Sequence, residues 1–506
     1  MVNYFKKMGF HFIIRISILL FLNSCGSVKV EDDSGSSSGT STTPCYTTSP
    51  SDKGSCSVSS TLTASTRVPL LLVRVQYKDA CFNSDETTWA SKMFGTSDGQ
   101  MNHYLGETTY GKYQFSQMPE TSGCTNDGVV TVDIPENHPN TQQNSWNAHA
   151  YTAIQATDSY VNFADYDNDS NGSISISELQ VIFLVAGGES ATGNNSPGGV
   201  WAMASQLTLD ADGDGYVNNR PCTSISDDCN GVELDNVKIL GLNSTGQNGF
   251  SQFGERQGSS SGNTWDATIG VMAHELGHAY FGLPDLYDTR DPSVNAGIGG
   301  FGIMGGGVWG SKSSSEKAGA TPVHFSAWSK DNMSACEPQT VNSGSNNLTL
   351  PAVYQSSIHA SSCGIYKATT STSGEYFLFE NRSSGGYDQG LNYLILNGTT
   401  ENVIGSSFSG GLAVWHIQDN LSSSCSVYNN CMALSPKLVD LEEANNGDLD
   451  DASSNGRTTH LFYNGNSTTF DNDSTPNSRL NDGTSSGISV TSISAAGDNM
   501  TLTISK

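Results

Sequence analysis

His274 and His278 stand four residues apart in the run His274-Glu275-Leu276-Gly277-His278. On a helix such positions share one face, so both imidazoles reach a single Zn²⁺ while Glu275 lies beside the metal's open position. Those residue types at that spacing suit hydrolysis: the metal polarises a carbonyl, and Glu275 serves as general base toward zinc-bound water. The plainer reading is a pair of structural histidines. Against it, the preceding Ile269, Val271, Met272 and Ala273 mark a buried helix, where two histidines and a glutamate would be costly without a ligand. Asp285 is placed to offer a third, hard oxygen ligand once the chain turns back.

The element that must carry these groups is a helix over residues 268–281, free of proline and ended by Gly282 and Pro284. Further on, Gly299-Gly300-Phe301-Gly302-Ile303-Met304-Gly305-Gly306-Gly307 is a tight segment with one methionine. Its glycines let the chain reverse beneath the metal and set Met304 as an apolar floor for the imidazoles.

HELGH, then GLPDLYD, then a methionine turn resembles the zinc metalloproteases of the immune inhibitor A family, within the metzincin-like group. The resemblance implies an endopeptidase with a catalytic Zn²⁺ and protein or peptide substrates. One departure stands out: Ala279, Tyr280 and Phe281 lie between His278 and Gly282, where such enzymes usually have two residues. Asp285 therefore falls one position late. Either the helix runs one residue further or a small bulge absorbs the insertion, with Asp288 or Asp291 as the substitute ligand if Asp285 falls short. Tyr287 is read as packing, with an oxyanion-donor role as the alternative.

The elements around the site begin near Arg67. Residues 68–75 form an apolar run expected as a buried strand, followed by a helix through Trp89 to Leu105 and a strand after YGKYQFS, an order that resembles the start of the same family's catalytic domain. Leu179 to Val185 reads as another strand. Val200-Trp201 and residues 237–241 would add strands beside the site; the resemblance implies that an edge strand pairs with extended substrate, without saying which strand is at the edge. Thr321 to Lys330 reads as a helix starting at Pro322, with His324 in the core.

Asp167-Asn168-Asp169-Ser170-Asn171-Gly172-Ser173-Ile174-Ser175-Ile176-Ser177-Glu178 matches a twelve-residue calcium loop. Asp167, Asp169, Asn171, Ser173 and Glu178 would encircle Ca²⁺, with Gly172 at the sharp turn and Ile174 at the apolar eighth position. A structural rather than sensing role is expected, since a strand follows. Asp210, Asp212 and Asp214 begin a possible second calcium loop that has Pro221 where the closing acid belongs. Asp448, Asp450, Asp451, Asp471 and Asp473 read as solvated loops.

The 506 residues are 36% hydrophobic and 14% charged, with 50 acids against 23 bases, which argues against nucleic acid as a partner. Residues 1–24 resemble an export signal: Lys6, Lys7 and Arg15 precede the apolar Ile16 to Leu22. Leu22-Asn23-Ser24-Cys25 resembles a lipobox, which would lipidate Cys25 and make this the chain's membrane attachment. The cell envelope, as a lipoprotein at the outer membrane or surface, or the secreted fraction is then the expected location. Residues 25–65 hold a Ser/Gly-rich tether and a short cysteine-bearing segment. Ten further cysteines favour disulfides, most simply Cys45–Cys56, Cys81–Cys124, Cys222–Cys229, Cys336–Cys363 and Cys425–Cys431.

From Leu348 onward short alternating strands (376–380, 412–417, 488–490, 501–504) separate turn-rich stretches. Phe379-Glu380-Asn381-Arg382 and Val414-Trp415-His416-Ile417 resemble segments that follow the catalytic domain in the same family. A second active site on Glu380 and His416 is the less favoured reading; they are expected to be structural. The fold class expected is α+β: a metzincin-like catalytic domain at 66–332, a mixed twisted sheet with an active-site helix, then a β-sandwich-like region at 333–506. A monomer is expected. The rival functions are a surface binding or adhesion module with an inactive zinc site and a non-proteolytic zinc amidase.

Overall fold

The computed structural model describes residues 44–47, 53–58, 60–142, 146–207, 231–241, 249–258, 263–289, 296–355, 363–396, 399–401, 408–422, 432, 435–445, 447, 449–450 and 454–506. The export signal, Cys25, the tether, the possible second calcium loop (Asp210, Asp212, Asp214), Asp291, Asp448, Asp451 and Cys222, Cys229, Cys425 and Cys431 lie outside the described residues. Among the described residues no helix is long and apolar enough to cross a membrane.

A strand at Thr66–Tyr77 (β1) forms the spine of the first sheet. Its side chains alternate between two apolar clusters: Leu70 and Leu72 enter one, Leu71, Val73 and Val75 the other. Helices α1 (Glu86–Phe94) and α2 (Met101–Thr108) follow, separated by Gly95 where a single helix was expected. Next come β2 (Tyr113–Gln117), β3 (Val129–Ile134), α3 (Asn147–Gln155) and β4 (Gln180–Glu189). Short strands β5 (Gly199–Val200), β6 (Met203–Ser205), β7 (Val232–Leu234) and β8 (Val237–Ile239) lead to β9 (Phe250–Gly258) and β10 (Thr264–Asp266). Strands β2, β3 and β4 pair in parallel with β1, and β9 pairs in parallel with β4. Antiparallel β6 and β10 occupy opposite ends of the outer side of β9, so the sheet is mixed.

Helix α4 (Ile269–Ala279) packs on the face of Leu70 and Leu72 and carries the histidines. After it, β11 (Gly310–Ser311) closes the glycine-rich stretch, and α5 is confined to Ala327–Asn332. The helix expected from Pro322 starts five residues late. Residues 321–324 instead spend their backbone groups on the glycine-rich stretch: Thr321 N–H donates to Gly310, Val323 N–H to Gly307, and the His324 carbonyl accepts from Ile303. Ser326 then caps α5, its hydroxyl accepting from Ser329 N–H at 3.2 Å.

The remaining strands are β12 (Gln339–Thr340), β13 (Ser345–Pro351), β14 (Tyr366–Thr369), β15 (Glu375–Arg382), β16 (Tyr393–Leu396), β17 (Thr399–Glu401), β18 (Gly411–Gln418), β19 (Val439–Leu441), β20 (Ser489–Thr491) and β21 (Asn499–Ser505). One sheet runs β12-β14-β15-β18-β19, and a second runs β13-β21-β20. A single apolar cluster takes Phe377, Phe379 and Val414 from the first and Val490, Leu502 and Ile504 from the second. The opposite face of the larger sheet, through Leu378 and Trp415, joins the same cluster as Met272 and Leu276 of α4. Strand β16 pairs with β11, so chain from both halves interleaves.

The nearest-neighbour cysteine scheme fails for the first four. Cys45 pairs with Cys81 and Cys56 with Cys124, with Cα atoms 6.1 and 5.2 Å apart. Cys45 is carried to the end of β1, where its N–H donates to Lys78, while Cys56 docks on α1 through Thr87 Oγ1 at 2.9 Å. Proximity in space, not along the chain, selects the partners. Cys336 and Cys363 pair as expected, at 5.8 Å.

Candidate metal centre

Helix α4 is buried along its whole length. Gly270 and Gly277 are there because backbone and sulfur press on it: a Cβ would lie 2.2 Å from the Val308 carbonyl oxygen at Gly270 and 2.4 Å from Met304 Sδ at Gly277. Met304 thus touches the helix between the two histidines. The extra residue after His278 is taken up by a widened closing turn. Phe281 N–H reaches back five residues to Leu276, Gly282 N–H donates to His278, and Gly282 takes φ +66°. Of the two ways to absorb the insertion, the bulge is what forms.

That turn brings Asp285 to the histidines. Asp285 Oδ1 lies 3.2 Å from His274 Nε2 and 3.1 Å from His278 Nε2, and the two Nε2 atoms are 3.2 Å apart. The other ring nitrogens are engaged by carbonyls: His274 Nδ1 by Ile303 O at 2.8 Å, and His278 Nδ1 by Leu283 O at 2.6 Å. A carbonyl only accepts, so each Nδ1 carries a proton and each ring turns its Nε2 toward the common point. Two ring nitrogens and a carboxylate oxygen, on residues 2–8% exposed, thus converge as a group that could hold a cation. The spacing fits one: a tetrahedral ion with bonds of roughly 2.0–2.1 Å sets its donors roughly 3.3 Å apart.

The charges of the group favour a proton on the shared face: burial pulls His278 down, but the facing Asp285 carboxylate more than offsets it and the ring is pushed up to about 9, a proton that a cation bound here would displace. Asp285, although burial raises it, is held well below the usual carboxylate range by His278 and His274. Burial pushes Glu275 up, against the pull of the two histidines, and the N–H of Ala204 also reaches its carboxylate. Asp288 is buried nearby but is not part of the three-donor group. Tyr287 is buried in the apolar cluster around α4.

Two features escaped the sequence reading. Glu189, at the end of β4, is fully buried; its Oε1 accepts from Ala191 N–H at 2.8 Å and Ala202 N–H at 3.1 Å, and its Oε2 from Gly254 N–H at 2.8 Å. Burial pushes this acid up to about 8. It ties the end of β4 to the residue before β6 and to the middle of β9, beside Glu275, and an acid at the end of an apolar strand was the available signal. The second is β6 itself, which packs on α4 and occupies the outer side of β9.

The calcium-type loop is formed as well. Asp167, Asp169 and Glu178 each offer an oxygen within 4.8 Å of one another. Asp167 accepts from Asn171 N–H at 3.0 Å and Gly172 N–H at 2.9 Å, with Gly172 at φ +78°. The Asn171 side-chain Oδ1 accepts from Ser173 N–H at 2.8 Å. A 3-10 turn at Phe163–Tyr166 precedes the loop, β4 follows, and Ile174 N–H donates to Lys238 O of the β7–β8 hairpin. Glu380 and His416 are not neighbours in function: Glu380 bonds Trp415, Arg382 and Lys330, whereas His416 lies between Glu375 at 2.9 Å and Glu442 at 3.1 Å. His324 is fully buried and its Nε2 meets Glu107 at 2.9 Å.

With the three donors and the floor in place, the chain can be set beside known proteins. Residues 258–336 match the immune inhibitor A peptidase M6 catalytic domain. The matched segment holds α4, Asp285 and Met304, and it supports a metallopeptidase-type proteolytic function acting on protein or peptide substrates. No curated protein matches the chain. Among solved structures it is similar to wild-type OgpA from Akkermansia muciniphila at 12% identity, with a TM-score of 0.26 over 72% of this chain and 92% of that one. A second crystal form of the same protein gives 12% identity and a TM-score of 0.23, over 66% and 75%.

Proposed function

We propose that the protein is an exported zinc endopeptidase in which His274, His278 and Asp285 hold the metal and Glu275 is the general base. The observation that carries this is the convergence, 3.1–3.2 Å apart, of the Asp285 carboxylate oxygen and two Nε2 atoms from a helix that also bears a buried glutamate. A zinc ion there would supply Lewis acidity toward a scissile carbonyl and lower the pKa of water at its open position.

The remaining steps belong to the chain. Burial keeps the Glu275 carboxylate poised to take a proton from the attacking water and return it to the leaving amine. Strand β6 offers its outer edge to an extended substrate, and Glu189 keeps β6 in register with β9. An intact, buried base beside the donor set favours this reading over an adhesion module, for which Glu275 would be an unrelieved cost. We also infer that the 167–178 loop holds a structural Ca²⁺, that the C-terminal sheets form a β-sandwich-like unit, and that Cys25 anchors the chain.

The test is hydrolysis of an unstructured protein such as casein by the full chain. Glu275→Ala should retain about one zinc and lose activity by at least ~10²-fold, and a chelator should abolish activity in the wild type. Wild-type rates in Glu275→Ala would refute the assignment. Zinc uptake without endopeptidase activity, but with hydrolysis of small amides, would favour the amidase.

A further inference from the structure

We propose that Arg382, from the C-terminal half, is a positioning residue for the His274/His278/Asp285 site; this rests on the metallopeptidase reading. Arg382 closes β15 and is fully buried. Its Nε and Nη2 make a two-pronged pair with Asp388 at 2.6 and 2.7 Å, and Nη1 meets Glu380 at 3.3 Å. Glu380 is held in turn by Trp415 Nε1 at 3.0 Å and Lys330 Nζ at 3.4 Å. The guanidinium is therefore fixed, and Nη1 also donates to the Phe301 carbonyl.

Phe301 lies in the glycine-rich floor. Two residues on, the Ile303 carbonyl accepts the His274 Nδ1 proton at 2.8 Å; next, Met304 presses on Gly277 and its carbonyl accepts from Leu286 N–H at 2.8 Å, beside Asp285. One short run of backbone thus sets a ring tautomer, the helix face and the ligand loop. The C-terminal half grips the same run twice more, Leu449 O accepting from Ala296 N–H at 2.8 Å and Asn455 O from Gly300 N–H at 2.6 Å.

A buried ion pair is weak evidence for stability, since apolar packing of similar volume often does as well. What a guanidinium does and an apolar side chain does not is aim several N–H groups from one rigid plane, fixing a carbonyl in direction as well as distance. Losing the group that a metal-binding histidine bonds through its other ring nitrogen typically costs 10–100-fold in metal affinity, and Arg382 stands one step behind such a group, the Ile303 carbonyl. Placing such a group under Phe301 makes the C-terminal half part of the metal site's support.

The experiment uses the full chain with Arg382→Lys, which keeps the buried carboxylates paired but loses the fork, and Gly299→Ala, whose Cβ would meet Asn455 O at 2.5 Å and Leu449 Cδ2 at 2.6 Å. Leu502→Ala, buried between the two C-terminal sheets, controls for lost stability alone. Zinc affinity is read by competition with a chromophoric chelator, ligand geometry by the visible spectrum of the Co²⁺-loaded chain, and folding by melts of the metal-free chain. Arg382→Lys and Gly299→Ala should bind zinc more weakly, by up to roughly 10-fold, with an altered Co²⁺ spectrum, while Leu502→Ala lowers only the melt. If Arg382→Lys does not fold, Arg382→Gln, read in the same way, decides. Wild-type affinity and spectrum in the folded variants overturn the proposal while leaving the zinc reading intact. A wild-type chain that takes up no zinc sinks both.

Discussion

At the scale of single residues, what distinguishes this chain is how many acids it buries and how differently each is settled. Glu189 is capped by three backbone N–H groups, Asp285 faces two imidazoles, and Asp388 faces a guanidinium. Asp127 is left over: its Oδ1 accepts from Val129 N–H at 2.9 Å, but its Oδ2 is buried without a hydrogen-bond partner among the described residues. Burial, reinforced by Glu86, pushes Asp127 up to about 7 from its ordinary 3.8. The folded form then holds a proton that the unfolded chain gives up, so this site's contribution to stability falls as pH rises from about 4 through about 7. Asp127→Asn removes the dependence. Its melting temperature should exceed the wild type's at pH 8 by at least ~2 °C and converge on it toward pH 5; a gap that widens toward pH 5 would contradict the account.

At the scale of elements, periodicity and stop signals marked α4 and β4 well, because each is buried enough for its own pattern to dominate. They failed for α5, where backbone partners from the glycine-rich stretch outbid local helix preference over residues 321–326. The 167–178 loop is the converse, a local sequence that organises itself around Asp167 and Gly172 and borrows only one strand edge from β7–β8. If it binds Ca²⁺, the ion stabilises by mass action, about 2.7 kcal/mol at a hundred times Kd. Added Ca²⁺ should raise the melting temperature of the metal-free chain, and Glu178→Gln should lose most of that shift. An unchanged shift in Glu178→Gln would place the Ca²⁺ elsewhere.

At the scale of the whole molecule, the two halves share a core and a site. Leu378, Tyr387 and Trp415 lie in one apolar cluster with Met272 and Leu276, β16 pairs with β11, and Arg382 reaches Phe301. Cutting after residue 332 would expose that apolar face and leave the floor of the metal site unsupported. Residues 66–332 alone are expected to be insoluble or non-cooperative in melting and to bind zinc poorly. A soluble 66–332 fragment with full-chain zinc affinity would show that the shared core is dispensable. The excess of 50 acids over 23 bases gives the chain a formal net charge of −27, a balance that repels a polyanion such as nucleic acid.

By itself the sequence determined which groups are brought together locally, since His274, Glu275 and His278 need only one helix to come together and the calcium-type loop needs only twelve consecutive residues. Local geometry is enough for both. Only the tertiary structure decided that a widened turn lets Asp285 reach the histidines, that Cys45 joins Cys81 and Cys56 joins Cys124, that β6 flanks the site, and that Arg382 braces Phe301. Each of these depends on residues far apart in the chain meeting in one place, and no spacing or composition along the chain encodes which distant groups will meet.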